Sequence, residues 1–170
     1  FLQGAQFALS NETPPKAPQT MIRFVSADGT SLPRQRRMLR HWLETIADHH
    51  GAQIDHLSYA FGSSDWMADL NQRYLAHEGD TDILTFDYTG PGSQSIVNGS
   101  GTLRLINGEC CISPSMIREQ AVFWKTTFED EMHRVLVHGL FHLLGFDDRT
   151  PSQKKQMRSL EEKALALRQR

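Results

Sequence analysis

The sequence predicts an α+β fold, in which a small mixed β-sheet is packed with helices and one helix carries a metal-binding motif. Short runs rich in β-branched and apolar residues, typical of strands, alternate with longer segments whose apolar residues recur at helical spacing. The chain has 170 residues, of which 39% are hydrophobic. That is enough for one substantial core and too little for two. The third observation is a pair of histidines, His138 and His142, placed one helical turn apart.

Residues 1–20 are polar and proline-rich, and we expect them to form a disordered extension. They lack the charged start and apolar run of a signal peptide. The chain has no run of eighteen apolar residues, so we expect no membrane span and no membrane partner. These features predict a single domain over residues 21–170 and a cytoplasmic location.

The first half of the domain predicts two strands and two helices. A strand over Met21–Ser26 precedes a helix over 33–50, and a strand over 54–61 precedes a helix over 64–76. The apolar residues at helical spacing in the first helix are Met38, Leu39, Trp42, Leu43 and Ile46. Those expected to be buried in the second helix are Met67, Leu70 and Tyr74. Strict alternation in the strand over 54–61 would place Ile54 on the face opposite Leu57, Tyr59 and Phe61.

The second half predicts a hairpin followed by three helices. Strands over 81–88 and 103–112 flank a Gly/Ser-rich loop over 89–101 and are expected to pair. A helix over 114–125 begins at Pro114, because proline is well tolerated at a first helical position. Thr127 is predicted to cap a helix over 128–144. Residues 150–153, Thr-Pro-Ser-Gln, form a capping box that starts the last helix.

The two cysteines, Cys110 and Cys111, are adjacent in the strand over 103–112. Neighbouring strand residues point to opposite faces of a sheet, so these two side chains are poorly placed to bridge each other or to chelate one ion. We expect both to be buried thiols in a reducing compartment.

The formal net charge of −2 gives no sign of strong phosphate neutralisation along a long duplex. The first helix has a local group of cations, Arg34, Arg36, Arg37 and Arg40. This group would suit a modest phosphate-binding patch, although a solvated helix face is the commoner explanation. The last helix, in which lysines and Arg158 alternate with Glu161 and Glu162, is expected to be an ordinary exposed helix.

The most informative segment is residues 138–148, which follow the pattern H-x-x-x-H-x-x-G-x-x-D. His138 and His142 share one helix face and can point at one ion. Gly145 takes the left-handed conformation that ends a helix, so Asp148 can return toward the histidines. Two nitrogens and one oxygen leave a fourth tetrahedral position open, which is typical of a catalytic zinc site. The motif therefore predicts a zincin-like metal helix.

Helical histidine pairs also occur by chance, and this motif lacks one element of the helical zinc proteases. Those enzymes place a Glu directly after the first His as general base. Here that position is Gly139, which we expect to leave room above the helix for a bulky substrate.

Three motifs in the same order resemble the YbeY family of bacterial endoribonucleases. Residues 138–148 resemble its H-G-x-L-H-L-x-G-[YF]-D-H pattern. Asn71 and Tyr74, followed by D-T-D-I-L-T-F over 80–86, resemble its N-x-x-Y and P-T-D-V-L-S-F segment. G-E-C-C-I-S over 108–113 resembles its G-D-I-x-I-S strand. The resemblance covers about residue 21 to the C-terminus.

The resemblance implies a single metallohydrolase domain that cuts single-stranded RNA during ribosomal RNA maturation, including the 16S 3′ end, and in ribosome quality control. It implies zinc as cofactor, one ion held by His138, His142 and Asp148. Its implied partners are single-stranded RNA, the ribosome or ribosomal proteins, with no DNA expected.

Besides Phe141 in place of Leu and Asp80 in place of Pro, two departures from the family pattern affect residues with an implied role. Asp148 stands where the family usually has a third His. A carboxylate still binds zinc, but it leaves the ion a weaker Lewis acid and makes manganese or another divalent metal more plausible. Leu75 stands where the family typically has an Arg implicated in activity. Arg73 and His77 are close in sequence and are candidates for a phosphate contact.

His133 and Asp147 complete the candidate site. His133 would support the site or contact substrate, although a histidine at such a position is more often a core or surface residue. Asp147 would either orient a ligand histidine, since ligating imidazoles normally donate their other N–H to an acceptor, or cap the turn.

Three functional classes follow. An endoribonuclease leads on the family resemblance. A metalloprotease is supported by H-x-x-x-H-x-x-G-x-x-D and opposed by Gly139. The third class is a ribosome-associated binding factor with a structural metal.

Overall fold

A computed structural model describes residues 20–74, 81–90, 96–98 and 101–168. The expected extension over residues 1–20 lies almost wholly outside this part of the chain. The strands are β1 (Met21–Ser26), β2 (Ala52–Phe61), β3 (Ile83–Asp87), β4 (Ile96–Asn98) and β5 (Gly101–Ile112). The helices are α1 (Arg36–His49), α2 (Ser64–Tyr74), α3 (Pro114–Trp124), α4 (Phe128–Leu143) and α5 (Pro151–Ala166).

The sheet is mixed, as the sequence predicts for an α+β fold. Its strand order is β1-β2-β5-β3, and β4 pairs with the start of β5. β1 and β5 both run parallel to β2. β3 and β4 run antiparallel to β5. The expected hairpin pairing of β3 with β5 is confirmed, with Ile83 opposite Ile112 and Asp87 opposite Gly108.

The main core lies between the sheet and α1 and α4. Leu43 of α1, Tyr59 of β2, Ile106 of β5 and Leu136 of α4 are fully buried in one continuous cluster. A smaller cluster joins Met67 of α2 to strand residues from β2, β3 and β5, namely Ala60, Leu84 and Cys111. Helix α4, which carries His138 and His142, is therefore held against the sheet by apolar packing.

Strand β2 contains an irregularity that the alternation pattern misses. Ile54 pairs with Ile106, whereas His56 pairs with Asn107, so Asp55 is one extra residue in the ladder. A bulge of this kind shifts the alternation by one position. Ile54 therefore lies in the same core cluster as Leu57 and Tyr59, and the prediction that it faces the opposite side was wrong.

Two apolar residues predicted to face the core are exposed. Met38 on α1 is 42% exposed, and Tyr74 at the end of α2 is 64% exposed. Tyr74 lies edge-on to the Phe86 ring, with centroids 5.1 Å apart. The periodicity that places both on a helix is correct, but they lie at the margin of the buried stripe.

The loop predicted over 89–101 was also only partly correct. Residues 96–98 form β4, and β5 begins at Gly101. Isoleucine and valine at 96 and 97 favour a strand despite the glycines and serines around them.

The helix starts are confirmed where a cap was predicted. The Thr127 side chain accepts a hydrogen bond from the backbone N–H of Asp130, at the start of α4. Thr150 and Gln153 form both hydrogen bonds of the capping box on α5. Cys110 and Cys111 are free, buried thiols that belong to different core clusters, as strand alternation predicts.

Candidate metal centre

The candidate centre lies at the C-terminal end of α4. Gly145 has φ 90°, and the N–H of Phe146 donates to the carbonyl of Phe141, which closes the helix end. Arg104 of β5 donates to the carbonyls of Leu143 and Leu144 at 2.8 and 2.6 Å. These contacts turn the chain sharply after α4 and bring residue 148 back beside the helix.

His138, His142 and Asp148 converge as the motif predicts. The two Nε2 atoms lie 2.9 Å apart. Asp148 Oδ2 lies 3.9 Å from His138 Nε2, and Asp148 Oδ1 lies 4.0 Å from His142 Nε2. One ligand atom from each residue lies within 4.8 Å of the others. The side chains are 22%, 26% and 40% exposed respectively, so a substrate can reach them.

Both imidazoles are oriented through Nδ1. His138 Nδ1 lies 2.8 Å from Glu161 Oε1, and His142 Nδ1 lies 3.0 Å from the Phe146 carbonyl oxygen. A carboxylate and a carbonyl can only accept, so each Nδ1 carries the proton. In the neutral rings the lone pair is then on Nε2, directed at the shared point.

These residues fit a divalent cation. Two neutral Nε2 acceptors at 2.9 Å repel each other unless a proton or a cation lies between them. Zinc bonds of about 2.0–2.1 Å in a tetrahedron place two nitrogens about 3.3 Å apart, so the rings would have to separate by about 0.4 Å from the 2.9 Å observed. The set of two imidazole nitrogens and one carboxylate oxygen is also one that zinc accepts.

The two histidines differ in their affinity for protons. Burial, followed by the neighbouring His138, lowers the pKa of His142. Burial also acts to lower the pKa of His138, but the hydrogen bond and charge of Glu161 oppose it, and the net shift is upward. The neutral form that a metal requires is therefore favoured at His142, whereas a cation at His138 must displace a more strongly held proton.

The Asp147 side chain contacts the backbone of the turn and Arg149. Its Oδ1 accepts from the backbone N–H of Asp148 at 2.8 Å, and its Oδ2 lies 3.2 Å from Arg149 Nε. The hydrogen-bond acceptors of His138 and His142 are Glu161 and the Phe146 carbonyl instead.

His133 and Arg73 lie outside the cluster formed by the three candidate ligands. His133 Nδ1 accepts from Arg168 Nη1 at 2.7 Å, and its ring lies 5.7 Å from that of Trp42. Arg73 is exposed in the last turn of α2. His77 and Leu75 lie outside the described residues.

Two arginines of α1 make contacts within the protein. Arg40 donates from Nε to the carbonyl of Ile22 at 2.8 Å and lies over the Phe24 ring. Arg36 donates to the carbonyl of Pro33. These contacts tie α1 to β1 and to the preceding loop, so the group cannot act as four free cations.

The prediction that Gly139 leaves room for substrate was wrong. Gly139 is buried and faces the sheet, where an added Cβ would lie 2.7 Å from Cys110 Sγ and 2.7 Å from Ile83 Cδ1. The glycine lets α4 approach β3 and β5 closely. A glutamate at this position would enter the core instead of the open site.

Glu161 is the residue that sequence analysis missed. Helix α5 was predicted to be an ordinary exposed helix. At Glu161 this prediction was wrong, because the carboxylate is buried against His138 and Arg134. A signal was present, since Glu161 follows Met157 by four residues and precedes Ala164 by three, and these are the other buried positions of the helix. A charged residue on the buried stripe of a helix indicates a specific partner.

Comparison with known proteins identifies one family. Residues 24–168 match the family model described as Endoribonuclease YbeY. A protein of that name from Cytophaga hutchinsonii is 38% identical over 147 residues, covering 86% of this chain and 95% of the relative. The one from Porphyromonas gingivalis is 35% identical over 142 residues, covering 83% and 86%.

A solved structure shares the fold. The solution structure of TM1509 from Thermotoga maritima has a TM-score of 0.55 and 24% identity, and the match covers 85% of this chain and 87% of that one.

Among the described residues, none of the helices combines the length and the apolar character needed to cross a membrane.

Proposed function

This chain belongs to the YbeY family, and from that premise we propose that it is a metal-dependent endoribonuclease specific for single-stranded RNA. The observation that carries the proposal is the convergence of His138 Nε2, His142 Nε2 and the Asp148 carboxylate at an accessible point. The relatives are named Endoribonuclease YbeY, and this activity gives the substrate class and the reaction that we propose here.

The three side chains are proposed to hold one zinc ion, with another divalent metal as the alternative. A bound cation of this kind supplies a Lewis acid that lowers the pKa of water and stabilises charge on a phosphodiester oxygen. His138 and His142 contribute neutral Nε2 atoms. Their rings are oriented by hydrogen bonds from Nδ1 to Glu161 and to the Phe146 carbonyl. Asp148 contributes a negative charge that attracts a cation, and its side chain is 40% exposed, so the site is open toward solvent.

The proposed biological role follows the family. The substrate is ribosomal RNA, at sites that include the 16S 3′ end, during maturation and ribosome quality control in the cytoplasm. The ribosome or ribosomal proteins are the proposed partners. We propose neither DNA nor a membrane as a partner. Residues 21–170 are proposed to act as a single metallohydrolase domain.

The metalloprotease alternative is weakened by Gly139. Gly139 has no carboxylate and faces the core, so this chain has no general base directly after the first histidine. A binding factor with a structural metal is the other alternative, and it predicts metal binding without cleavage.

The test is cleavage of an unstructured RNA oligonucleotide by zinc-loaded protein. It is run beside chelated protein and a His138→Ala preparation purified identically, which controls for contaminating ribonuclease. Casein is offered in parallel. We expect RNA cleavage that disappears in both controls and no proteolysis. RNA cutting that persists in the His138→Ala protein, or no cutting by zinc-loaded protein, would overturn the proposal.

A further inference from the structure

Glu161 is a buried carboxylate contributed by a helix that carries none of the candidate metal ligands. It is 7% exposed, on the buried stripe of α5. Glutamates are almost never this buried unless they are paired, because removing a charge from water is costly. Its partners therefore indicate its role.

Both oxygens of Glu161 are engaged. Oε1 accepts from His138 Nδ1 at 2.8 Å, and Oε2 accepts from Arg134 Nη1 at 3.1 Å. Arg134 also lies 3.6 Å from Glu131, through its Nε. His138 and Arg134 are one turn apart on α4, so a single carboxylate bridges two positions on the same helix face.

We propose that Glu161 is a positioning residue of the metal centre, which fixes the Nδ1–H tautomer of His138 and aims its Nε2 at the cation, and that Arg134 holds Glu161 in place. This inference rests on the proposed metal site. Carboxylates that accept from a metal-bound imidazole orient the ring and increase its basicity, and their loss typically costs about 10–100-fold in metal affinity.

The fold does not need this carboxylate to dock α5. Met157 and Ala164 on the same stripe are buried in the main core, and Trp42 Nε1 donates to the Ala164 carbonyl at 2.9 Å. The capping box fixes the start of the helix independently. Besides its ion pair with Arg134, Glu161 adds a contact with His138, which is a candidate metal ligand.

The two ligand histidines differ in how they are held. His142 donates to a backbone carbonyl, that of Phe146, which no side-chain substitution removes. His138 donates to a side chain. Substitution of Glu161 therefore changes the support of one ligand and leaves the support of the other intact.

The test is the zinc affinity of Glu161→Gln, measured by competition with a chromophoric chelator. Glutamine keeps the size of the side chain, but a donor NH2 group replaces one of the two oxygens that accept from His138 and Arg134. We expect affinity to fall about 10–100-fold. Glu162→Gln, the exposed neighbour on the same helix, is the matched control and should bind as the parent does. Glu161→Asp restores the charge and should recover part of the loss.

A second measurement uses only the parent protein, so it does not depend on a variant folding. Nitrogen chemical shifts of the histidine rings should show His138 protonated at Nδ1, with zinc bound at Nε2. A ring protonated at Nε2 would overturn the inference. Equal zinc affinity in the parent and in a folded Glu161→Gln protein would overturn it as well, while leaving the proposed function in place. A parent that binds neither zinc nor another divalent metal would instead remove the proposed function.

Discussion

His138 Nε2 and His142 Nε2 lie 2.9 Å apart, while the Nδ1 of each ring is directed at a carboxylate or carbonyl acceptor. Both rings therefore present a lone pair to one point, a contact that is repulsive unless a positive charge lies there. The carboxylate of Asp148 on the third side adds negative charge to the same point. This relationship is the physical basis for a cation site at the end of α4.

Loss of one ligand should remove the metal without unfolding the protein. We expect His142→Ala to bind zinc at least about 100-fold more weakly, more than the loss of a supporting carboxylate would cost. The fold should persist, because α4 is held by its apolar face, including Leu136, Leu140 and Leu143. Calorimetric titration with zinc and circular dichroism check the two parts. A His142→Ala protein with the parent's affinity would show that the ligands are misassigned.

Replacing Asp148 by histidine should keep the metal and change the pH profile. Imidazole donates less charge than carboxylate, so the cation becomes a stronger Lewis acid and activity should rise at lower pH. The measurement is RNA cleavage against pH for the parent and Asp148→His. Asp147→Asn is the control, because Asp147 contacts the turn backbone and Arg149. An unchanged or upward-shifted profile for Asp148→His would argue against Asp148 as a ligand.

The close approach of α4 to the sheet predicts that Gly139→Ala is destabilising. Alanine favours a helix over glycine by about 1 kcal/mol. Its methyl group would nevertheless lie 2.7 Å from Cys110 Sγ and Ile83 Cδ1, and overpacking of this kind costs about 1–3 kcal/mol. We expect a net loss, measured as a lower midpoint in urea unfolding. A midpoint equal to or above that of the parent would show that the interface is looser than described.

Neither cysteine should react in the folded protein. Burial raises the pKa of Cys110 to about 12, and burial together with the charge of Glu109 raises that of Cys111 to about 12. At pH 8 the reactive thiolate is therefore almost absent, and both sulfurs are shielded. Titration with a disulfide reagent should detect no thiol in native protein and two in urea. Rapid reaction of either thiol without denaturant would contradict the packing of β5.

A carboxylate in the loop after β1 predicts a pH-dependent contribution to stability. Asp28 accepts from the Thr30 hydroxyl at 2.6 Å and from the Ser63 backbone N–H at 2.8 Å, and these hydrogen bonds hold its pKa well below the usual range. A depressed folded pKa gives stability that is complete above the unfolded pKa of about 4 and is lost as pH falls below it. Asp28→Asn should therefore be less stable than the parent at pH 7.

The comparison is made by thermal unfolding of the parent and Asp28→Asn at pH 7 and at pH 3. The gap in Tm should narrow at the lower pH, because the advantage of the ionised carboxylate decreases there. A gap that stays constant or widens would show that the Asp28 hydrogen bonds do not depend on its charge.

Local features were predictable from the sequence. Helix starts depend on neighbouring residues, as with Thr127 and the capping box of α5. The convergence of His138, His142 and Asp148 was predictable because all three lie within eleven consecutive residues whose helix and glycine stop fix their relative positions.

Features that depend on docking between distant segments were not predictable. Glu161 reaches His138 only because α5 packs against α4. The direction in which Gly139 faces depends on the sheet beneath α4. The bulge at Asp55 depends on the register of β2 against β5. Each of these requires the tertiary arrangement, which periodicity does not contain.

The most direct test of the metal centre is a crystal structure of the zinc-loaded protein with data collected on both sides of the zinc absorption edge. We predict one anomalous peak per chain, within bonding distance of His138 Nε2, His142 Nε2 and an oxygen of Asp148. A peak bound through Nδ1, a peak at another site, or no peak in crystals grown with excess zinc would contradict it.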